Sequence, residues 1–258
     1  MPEDLLPGLC SVTLRDLSAI DVLAVASRAR LEAIEWGADL HVVPGELDRA
    51  AAIGRRTIDA GLACASYGSY LFAPSASARA IETVLDTAVA LGAPNVRVWT
   101  DWVGPDPEPS VRDAIEAQLA FLTGLAEDRG LAVSLEFHPG TLTETAASTL
   151  ALLEAVGAPN LYTYWQPPVG LPVADLLASW LAVRDRASHL HVFRWRSDDD
   201  RQPLEEGVDL WPQILAERPS SRRWRGDRVA FLEFVRDDDP TQLEHDAAVL
   251  RGWLGRPD

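Results

Sequence analysis

Short apolar runs alternate with alanine-rich helical patterns along the sequence, and this order repeats eight times. Four glycines end helical patterns at intervals of roughly thirty residues: Gly61, Gly92, Gly130 and Gly157. The residues after these glycines also repeat, since Gly-Leu-Ala occurs at 61 and 130, and Gly-Ala-Pro-Asn occurs at 92 and 157. The sequence is therefore built from repeated strand and helix units.

This repeat favours one barrel over other α/β folds. No glycine-rich nucleotide-binding motif follows the first apolar run, which argues against an open doubly wound sheet. A length of 258 residues suits one barrel, because single barrels of this type commonly contain about 250 residues. We therefore predict the α/β fold class, with a single (β/α)8 TIM barrel domain over residues 1–258.

The element boundaries are predicted from apolar periodicity and from residues typical of helix ends. The predicted strands are 9–14, 33–36, 62–67, 96–99, 131–136, 161–166, 189–193 and 229–234. The predicted helices are 18–30, 47–60, 77–91, 110–129, 145–156, 173–186, 210–216 and 239–254. Ser110 is the predicted cap of the fourth helix. The acidic segment 197–200 and the arginine-rich segment 221–225 are predicted to be solvated loops.

The net charge of −16 argues against partners that require a basic surface. Nucleic-acid backbones and anionic membrane surfaces are such partners, so we expect neither, and we expect a small molecule instead. No apolar run approaches about 18 residues, and the first residues are acidic, which predicts a cytoplasmic protein. Cys10 and Cys64 lie in apolar runs without metal-ligand spacing, so buried reduced thiols are predicted.

All 23 basic residues of the chain are arginines. The absence of lysine excludes Schiff-base chemistry on a lysine, pyridoxal phosphate anchored by one, and a Walker-type phosphate loop.

A glutamate stands at the end of the apolar run 131–136, before Pro139-Gly140. Burial of an unpaired carboxylate is costly, so Glu136 is expected to bind a metal, pair with a cation or face a wet cavity. His138 shares its strand face. The alternative is a glutamate at a strand end that reaches solvent.

Polar residues occupy equivalent positions at the ends of four successive predicted strands: Glu136, Gln166, His191 and Glu233. In a barrel of this type, chemistry takes place at the carboxyl ends of the strands, so we expect these side chains to meet at one rim. Two carboxylates, an imidazole and an amide oxygen form a ligand set suited to a divalent metal ion, which we expect to be Mn²⁺, Mg²⁺, Co²⁺ or Zn²⁺.

The segments Leu-Glu136-Phe, Tyr-Trp-Gln166, His189-Leu-His191-Val and Leu-Glu233-Phe resemble the strand-end signature of the xylose isomerase-like barrels, the sugar phosphate isomerase/epimerase family. The resemblance covers nearly the whole chain. It implies that the four positions, usually Glu, Asp, His and Glu, hold one divalent ion. It also implies that Glu136 and Glu233 move protons on and off adjacent carbon atoms. Gln166 departs from the usual aspartate, which removes one negative charge from the ligand set.

The apurinic-site endonucleases resemble this chain in fold, but they hold three zinc ions with many histidines. One of those histidines lies three residues after the sixth-strand acid, where this chain has Val169. With five histidines and a net charge of −16, the chain lacks both the histidine cluster and a basic surface for DNA. We therefore do not expect a nuclease.

Other residues near the strand ends are candidates for substrate contacts: His41, Tyr67, Arg97, Trp99, His138, Trp165 and Arg194. The tryptophans at or just beyond strand ends are Trp36, Trp99, Trp102, Trp165 and Trp195. Flat aromatic faces suit the C–H faces of a sugar or cyclitol, and arginines suit a carboxylate, phosphate or keto oxygen. The alternatives are that the tryptophans seal the barrel top or form a homo-oligomer interface, and that the arginines pair with the rim glutamates.

These residues predict a metal-assisted isomerase or epimerase that acts on a keto sugar or related polyol through an enediolate. One alternative is a dehydratase or other lyase acting on a similar substrate, such as a keto-cyclitol or a compound like dehydroshikimate. Another is a non-catalytic sugar-binding barrel, which the neutral Gln166 and the absence of lysine favour.

Overall fold

The computed structural model describes residues 5–73, 75–197, 199–219, 224 and 226–256. Its strands are β1 (Leu5–Cys10), β2 (Ala33–Gly37), β3 (Ala63–Ala73), β4 (Asn95–Thr100), β5 (Ala132–Leu135), β6 (Leu161–Trp165), β7 (Ala187–Val192), β8 (Arg194–Ser197), β9 (Asp200–Gln202) and β10 (Arg228–Leu232). Its helices are α1 (Ala19–Arg28), α2 (Leu47–Asp59), α3 (Ala78–Leu91), α4 (Pro109–Glu127), α5 (Ala146–Val156), α6 (Val173–Val183), α7 (Trp211–Ala216) and α8 (Pro240–Trp253).

Eight of the strands close into a parallel barrel in the order β1, β10, β7, β6, β5, β4, β3 and β2. A helix lies between each barrel strand and the next along the chain. The helices cover the outer face of the barrel, and the side chains of the strands fill its inside, so the strands are buried on both faces. The predicted (β/α)8 barrel is thereby confirmed. No helix among the described residues is long and apolar enough to cross a membrane.

Side-chain caps fix several helix starts where the sequence predicts them. Ser18 and Ser77 accept hydrogen bonds from backbone N–H groups of α1 and α3, and Thr145 forms a capping box with Ser148 at the start of α5.

The prediction of Ser110 as the cap of α4 is wrong, because the helix begins earlier, with Glu108 as its cap residue. Pro109 explains the earlier start, since its fixed φ is suited to the first turn of a helix.

The first strand also begins earlier than predicted. It covers Leu5–Cys10, whereas Ser11–Leu14, predicted as strand, forms a turn of 3-10 helix. Pro7 and Gly8 are unusual in a central strand, but a Cβ on Gly8 would lie only 2.4 Å from Val229 Cγ1. Glycine is therefore required where β1 passes close to β10.

A hairpin between β7 and α7 was not predicted. β8 and β9 pair antiparallel, with Ser197 opposite Asp200, where the sequence predicts only a solvated loop. These strands are short and charged, so their apolar periodicity is weak. Of the arginine-rich segment 221–225, only Trp224 lies within the described residues.

The core fills the barrel and the layer between its wall and the helices. Several of the largest buried side chains lie in that outer layer: Trp36, Trp165, Trp180 and Trp211. Trp36 donates from Nε1 to Thr57 Oγ1 on α2 at 3.0 Å, and Trp165 donates to Ser179 Oγ on α6 at 3.2 Å. These tryptophans therefore tie strands to helices.

Two helix glycines differ sharply in their surroundings, which predicts opposite effects of alanine. A Cβ on Gly54 in α2 would lie 2.1 Å from the Leu91 carbonyl oxygen at the end of α3, whereas a Cβ on Gly124 in α4 would meet nothing within 4 Å. We expect Gly54→Ala to lower the free energy of unfolding by about 1 to 3 kcal/mol through overpacking. Gly124→Ala is the matched control and should raise it by up to about 1 kcal/mol. Urea denaturation checks both, and a Gly54→Ala protein as stable as wild type would contradict the close approach of α2 and α3.

Candidate active site

Ionisable and polar side chains gather at the carboxyl ends of the barrel strands. Arg97 on β4, His191 on β7 and the three glutamates Glu35, Glu136 and Glu233 are each at most 5% exposed. Glu35 lies in β2, and Glu136 and Glu233 directly follow β5 and β10. The site is therefore a buried cluster of three carboxylates, one guanidinium and one imidazole.

His191 is the point on which the four predicted metal-ligating residues converge. Its Nδ1 lies 2.7 Å from Gln166 Oε1 and 3.0 Å from Glu233 Oε2, and 3.9 Å from Glu136 Oε1. The other ring nitrogen, Nε2, is buried and has no hydrogen-bond partner among the described residues. The structure thus brings Glu136, Gln166, His191 and Glu233 together, as expected for strand ends in one rim.

Arg97 joins two of the carboxylates. Its Nε donates to Glu35 Oε1 at 2.9 Å, and its Nη1 donates to Glu136 Oε2. The other oxygen of Glu35, Oε2, accepts from the Tyr164 hydroxyl at 2.8 Å. The structure therefore gives Arg97, predicted as a substrate contact, the role of partner to the buried glutamates, which was the alternative for the arginines.

Opposite charges in this cluster favour each other's ionised forms. Burial would raise the pKa of Glu35, but Arg97 and His191 outweigh it and hold that pKa below its usual value. Burial likewise disfavours the imidazolium, but Glu233 and Glu136 raise the pKa of His191 above its usual value. For His189, two residues earlier, burial outweighs the opposing effect of Glu35 and lowers the pKa to about 3. The two histidines therefore differ in direction, since the site raises the pKa of His191 and lowers that of His189.

Three residues of the cluster were not predicted: Glu35, Tyr164 and Cys10. Cys10 Sγ lies 3.7 Å from Glu35 Oε1 and donates to it. Glu35 follows Ala33-Ile34 in an apolar run, which is the same signal that identified Glu136, so it could have been found. Tyr164 and Cys10 carry no such signal, because both are common in apolar strands.

Below the cluster, the barrel interior is hydrogen-bonded and not wholly apolar. Asn95 Nδ2 donates to Ser66 Oγ at 3.0 Å and to the Tyr164 hydroxyl at 3.4 Å. Ser134 donates to Asn95 Oδ1 at 2.8 Å and lies 2.7 Å from Ser188 Oγ. This network satisfies buried polar groups and fixes Tyr164 beneath Glu35.

Four rings form an aromatic cluster beside the site: Phe72, Trp99, Trp102 and His138. The ring centroids of Trp99 and His138 are 4.4 Å apart, and those of Trp99 and Trp102 are 5.1 Å apart. Trp102 is 55% exposed, whereas Trp99 Nε1 is buried without a hydrogen-bond partner in the described chain. Trp99 and His138, both predicted substrate contacts, therefore form one aromatic surface. The indole N–H of Trp99 on this surface is available to donate a hydrogen bond.

The remaining predicted substrate contacts lie elsewhere. His41 is bonded through both ring nitrogens, to Ser11 Oγ at 3.0 Å and to the Leu17 carbonyl at 3.1 Å. Tyr67 donates to the Val42 carbonyl at 2.7 Å. Trp165 faces the helices, because alternation along β6 turns Tyr164 inward and its neighbour outward. Arg194 lies on the hairpin, 3.5 Å from Asp209. Contacts between these four residues and substrate stay predictions that their positions do not support.

The hairpin of β8 and β9 contacts Phe234, the residue that follows Glu233. Phe234 has a φ of 48°, a left-handed conformation that is strained for an aromatic residue. Its N–H donates to Thr13 Oγ1 at 2.9 Å, and its carbonyl accepts from Trp195 Nε1 at 3.2 Å. Arg201 stacks over the rings of Phe234 and Trp195. These contacts outweigh the strain and fix the backbone beside Glu233.

The donor set fits a divalent metal ion. Gln166 Oε1 and Glu233 Oε2 lie within 3.0 Å of His191 Nδ1, and Glu136 Oε1 lies farther away, at 3.9 Å. All four side chains are at most 8% exposed. Such mixed oxygen and imidazole sets bind Mn²⁺, Mg²⁺, Co²⁺ or Zn²⁺.

Comparison with known proteins agrees with this fold. Residues 23–226 match the family described as xylose isomerase-like TIM barrel. A search of curated proteins gave no significant match.

Several solved structures superpose on nearly the whole chain. The probable 3-DHS dehydratase AsbF of Bacillus anthracis, involved in petrobactin synthesis, has a TM-score of 0.80 at 21% identity, over 95% of this chain and 98% of that one. D-allulose 3-epimerase from Methylomonas sp., in complex with D-allulose, has a TM-score of 0.66 at 17% identity, over 97% of each chain. A xylose isomerase-like TIM barrel protein from Mycobacterium smegmatis, in complex with magnesium, has a TM-score of 0.67 at 16% identity, over 96% of each chain.

The Arg97 ion pairs predict a pH-dependent loss of stability. Arg97→Met leaves Glu35 and Glu136 buried without their cation, so we expect metal-free protein to lose about 3 to 5 kcal/mol of unfolding free energy at neutral pH. Because Arg97 holds the pKa of Glu35 below its ordinary 4.5, the lost stability is present above that value. The difference from wild type should shrink as the pH falls below about 4.5, where the Glu35 carboxyl becomes protonated.

Urea denaturation in a chelating buffer between neutral and acidic pH measures this difference. Arg28→Met is the matched control, because the pair of Arg28 with Glu244 is exposed and should contribute less than about 1 kcal/mol. A loss in Arg97→Met that is equally small would mean that water reaches the glutamates and that they need no cation.

Proposed function

Because the chain belongs to the xylose isomerase-like TIM barrel family, we propose that it is a divalent-metal-dependent isomerase or epimerase acting on a keto sugar or related polyol. One observation carries this proposal, namely the convergence of Glu136, Gln166 and Glu233 on His191 Nδ1 at the barrel rim. Paired carboxylates beside a divalent ion are suited to moving a proton between adjacent carbons.

The two rim glutamates handle the protons in this proposal. Glu136 and Glu233 follow β5 and β10, which are separated in the ring by β6 and β7, so they approach a substrate from different sides. One removes the proton from the carbon beside the carbonyl, giving an enediolate, and the other returns a proton to complete the exchange. Arg97 holds Glu136 Oε2, which leaves Oε1 toward His191 and the substrate.

Other residues of the chain position the substrate and the glutamates. The rings of Trp99 and His138 offer a flat surface for a sugar C–H face, and Trp99 Nε1 offers a hydrogen bond to a hydroxyl. His191 and Gln166 orient the carboxylates through the contacts of Nδ1. A divalent ion held by Glu136, Gln166, His191 and Glu233 would polarise the substrate carbonyl and favour the negative charge that develops on it.

A dehydratase acting on a cyclic keto substrate is the second candidate. It is favoured by the TM-score of 0.80 with the probable 3-DHS dehydratase, against 0.66 for the epimerase in complex with D-allulose. The same proton abstraction starts both reactions, and loss of a β-hydroxyl needs in addition only a placed acid. Product analysis on a panel of ketoses, keto acids and inososes, with the metal content determined, distinguishes them. An epimer or isomer supports the first, and loss of water from the substrate supports the second.

The two-glutamate chemistry predicts exchange of a substrate proton with solvent. In D₂O, wild-type protein should incorporate deuterium at a substrate carbon, and Glu136→Gln and Glu233→Gln should each lower turnover at least about 100-fold. Loss of the ion would mimic this result, so turnover is compared only between proteins of equal metal content. Glu116→Gln on α4, outside the cluster, serves as the control substitution. A metal-loaded Glu233→Gln protein that turns over at the wild-type rate would rule out the two-glutamate mechanism.

Gln166 predicts a weakened metal site. An amide oxygen is a poorer ligand than a carboxylate, so Gln166→Asp should tighten Mn²⁺ binding by about tenfold or more. Calorimetric titration of Mn²⁺ into both proteins measures the change. Equal or weaker binding by the variant would show that Gln166 faces the substrate and is not a ligand.

A further inference from the structure

Cys10 lies at the end of β1, where it contacts Glu35 of the ion cluster and also packs against apolar side chains of the barrel interior. It is fully buried, and β1 lies in the ring between β10, which leads to Glu233, and β2, which carries Glu35. Cys10 is opposite Glu35 in the β1–β2 register, and Leu9 is opposite Leu232. The barrel therefore places the thiol at the same level as the carboxylates.

The distances around the thiol are those of a metal-ligand group. One potential ligand atom from each of Cys10, His191 and Glu233 lies within 4.8 Å of the other two. Two atoms bonded to one zinc ion are separated by at most about 4.6 Å, twice a typical Zn–S bond, so a small shift of side chains closes this group around an ion.

The imidazole of His191 lies between the thiol and the carboxylates, and it is fully buried. Its Nδ1 faces Gln166 and Glu233 and is the nitrogen that would bind the ion, because one imidazole binds one ion through one nitrogen. Nε2, on the opposite edge of the ring, has no hydrogen-bond partner among the described residues. Nε2 lies 4.0 Å from Glu35 Oε1, the oxygen to which Cys10 donates.

The charges of the oxygen ligands leave room for another anion. Gln166 contributes no charge, and Glu35 is already bonded to Arg97 and Tyr164. Cys10 is placed to supply an anionic ligand beside Glu233. Burial, and then the nearby Glu35 and Glu233, raise the pKa of the Cys10 thiol well above its usual value. A divalent ion reverses this effect, because a coordinating thiol gives up its proton.

We propose that Cys10 is an additional ligand of the divalent ion, binding through Sγ, and that this thiolate makes the site prefer Zn²⁺ or Co²⁺ over Mg²⁺ or Mn²⁺. Thiolates select zinc and similar borderline ions, whereas oxygen ligands alone suit magnesium and manganese. The inference rests on the proposed metal-dependent function and adds the identity of the ion.

Cobalt is the probe, because it reports both binding and sulfur coordination. Full-length, metal-free protein is titrated with Co²⁺ while the visible d–d bands and the near-ultraviolet sulfur-to-cobalt charge-transfer band are recorded. Wild type should show both. Cys10→Ser should keep the d–d bands and lose the charge-transfer band. Cys64→Ser, which changes the other cysteine on β3, is the matched control and should keep both.

Competition between Zn²⁺ and Mn²⁺ gives a second measurement. Cys10→Ser should reduce the preference for Zn²⁺ at least about tenfold, with the Mn²⁺ affinity little changed. Thermal melts followed by circular dichroism show whether the variant is folded, and Cys10→Ala serves as a second variant. If both variants unfold, wild type and Cys64→Ser still test the proposal. The chain has 2 cysteines, so a charge-transfer band that persists in Cys64→Ser must come from Cys10.

The outcomes separate this inference from the proposed function. Cobalt that binds with d–d bands but without a charge-transfer band in wild type would overturn the role of Cys10 and leave the metal-dependent function standing. A protein that binds none of Co²⁺, Zn²⁺ and Mn²⁺ would overturn both.

Discussion

The structure at the carboxyl ends of the barrel strands depends on the ion pairs of Arg97 with Glu35 and Glu136. Two carboxylates brought to the same buried layer repel each other unless a cation lies between them, and desolvation adds to the cost. Arg97 can lie there because β3 has a glycine beside it. A Cβ on Gly68 would lie 2.6 Å from Glu35 Oε1 and 2.8 Å from Arg97 Nη2. The site thus depends on a missing side chain as well as on those present.

The three glutamates of the cluster differ in how fully their oxygens are hydrogen-bonded. Glu35 is bonded on both oxygens, to Arg97 and Tyr164, and Tyr164 is held in turn by the network around Asn95. Glu136 Oε2 accepts from Arg97, whereas its Oε1 lies 3.9 Å from His191 Nδ1, and Glu233 contacts His191. The residues fixed on all sides form the floor of the site, and those with an oxygen toward the rim are the ones available for chemistry.

The fold could be predicted because alternation of apolar runs with helical patterns is a property of the whole chain and tolerates local errors. Glu136, Gln166, His191 and Glu233 could be predicted to meet because residues at the ends of parallel strands share one rim. The direction of a single side chain is less certain from sequence. Trp165 lies one residue from the inward Tyr164 and therefore faces the helices, although both are apolar in pattern. Glu35 was missed although it carries the signal used for Glu136, and the hairpin was missed because charged strands lack periodicity.

The hairpin makes the mouth of the barrel asymmetric. Arg201 contacts Trp195, Phe234 and Asp238, so it joins the loop after β7 to the loop after β10. Stacking and an ion pair therefore connect these two loops. Across the ring, after β4, Trp102 is 55% exposed and packs against the rings of Phe72, Trp99 and His138. The exposed indole of Trp102 therefore lies on the side of the barrel mouth that faces the hairpin across the ring.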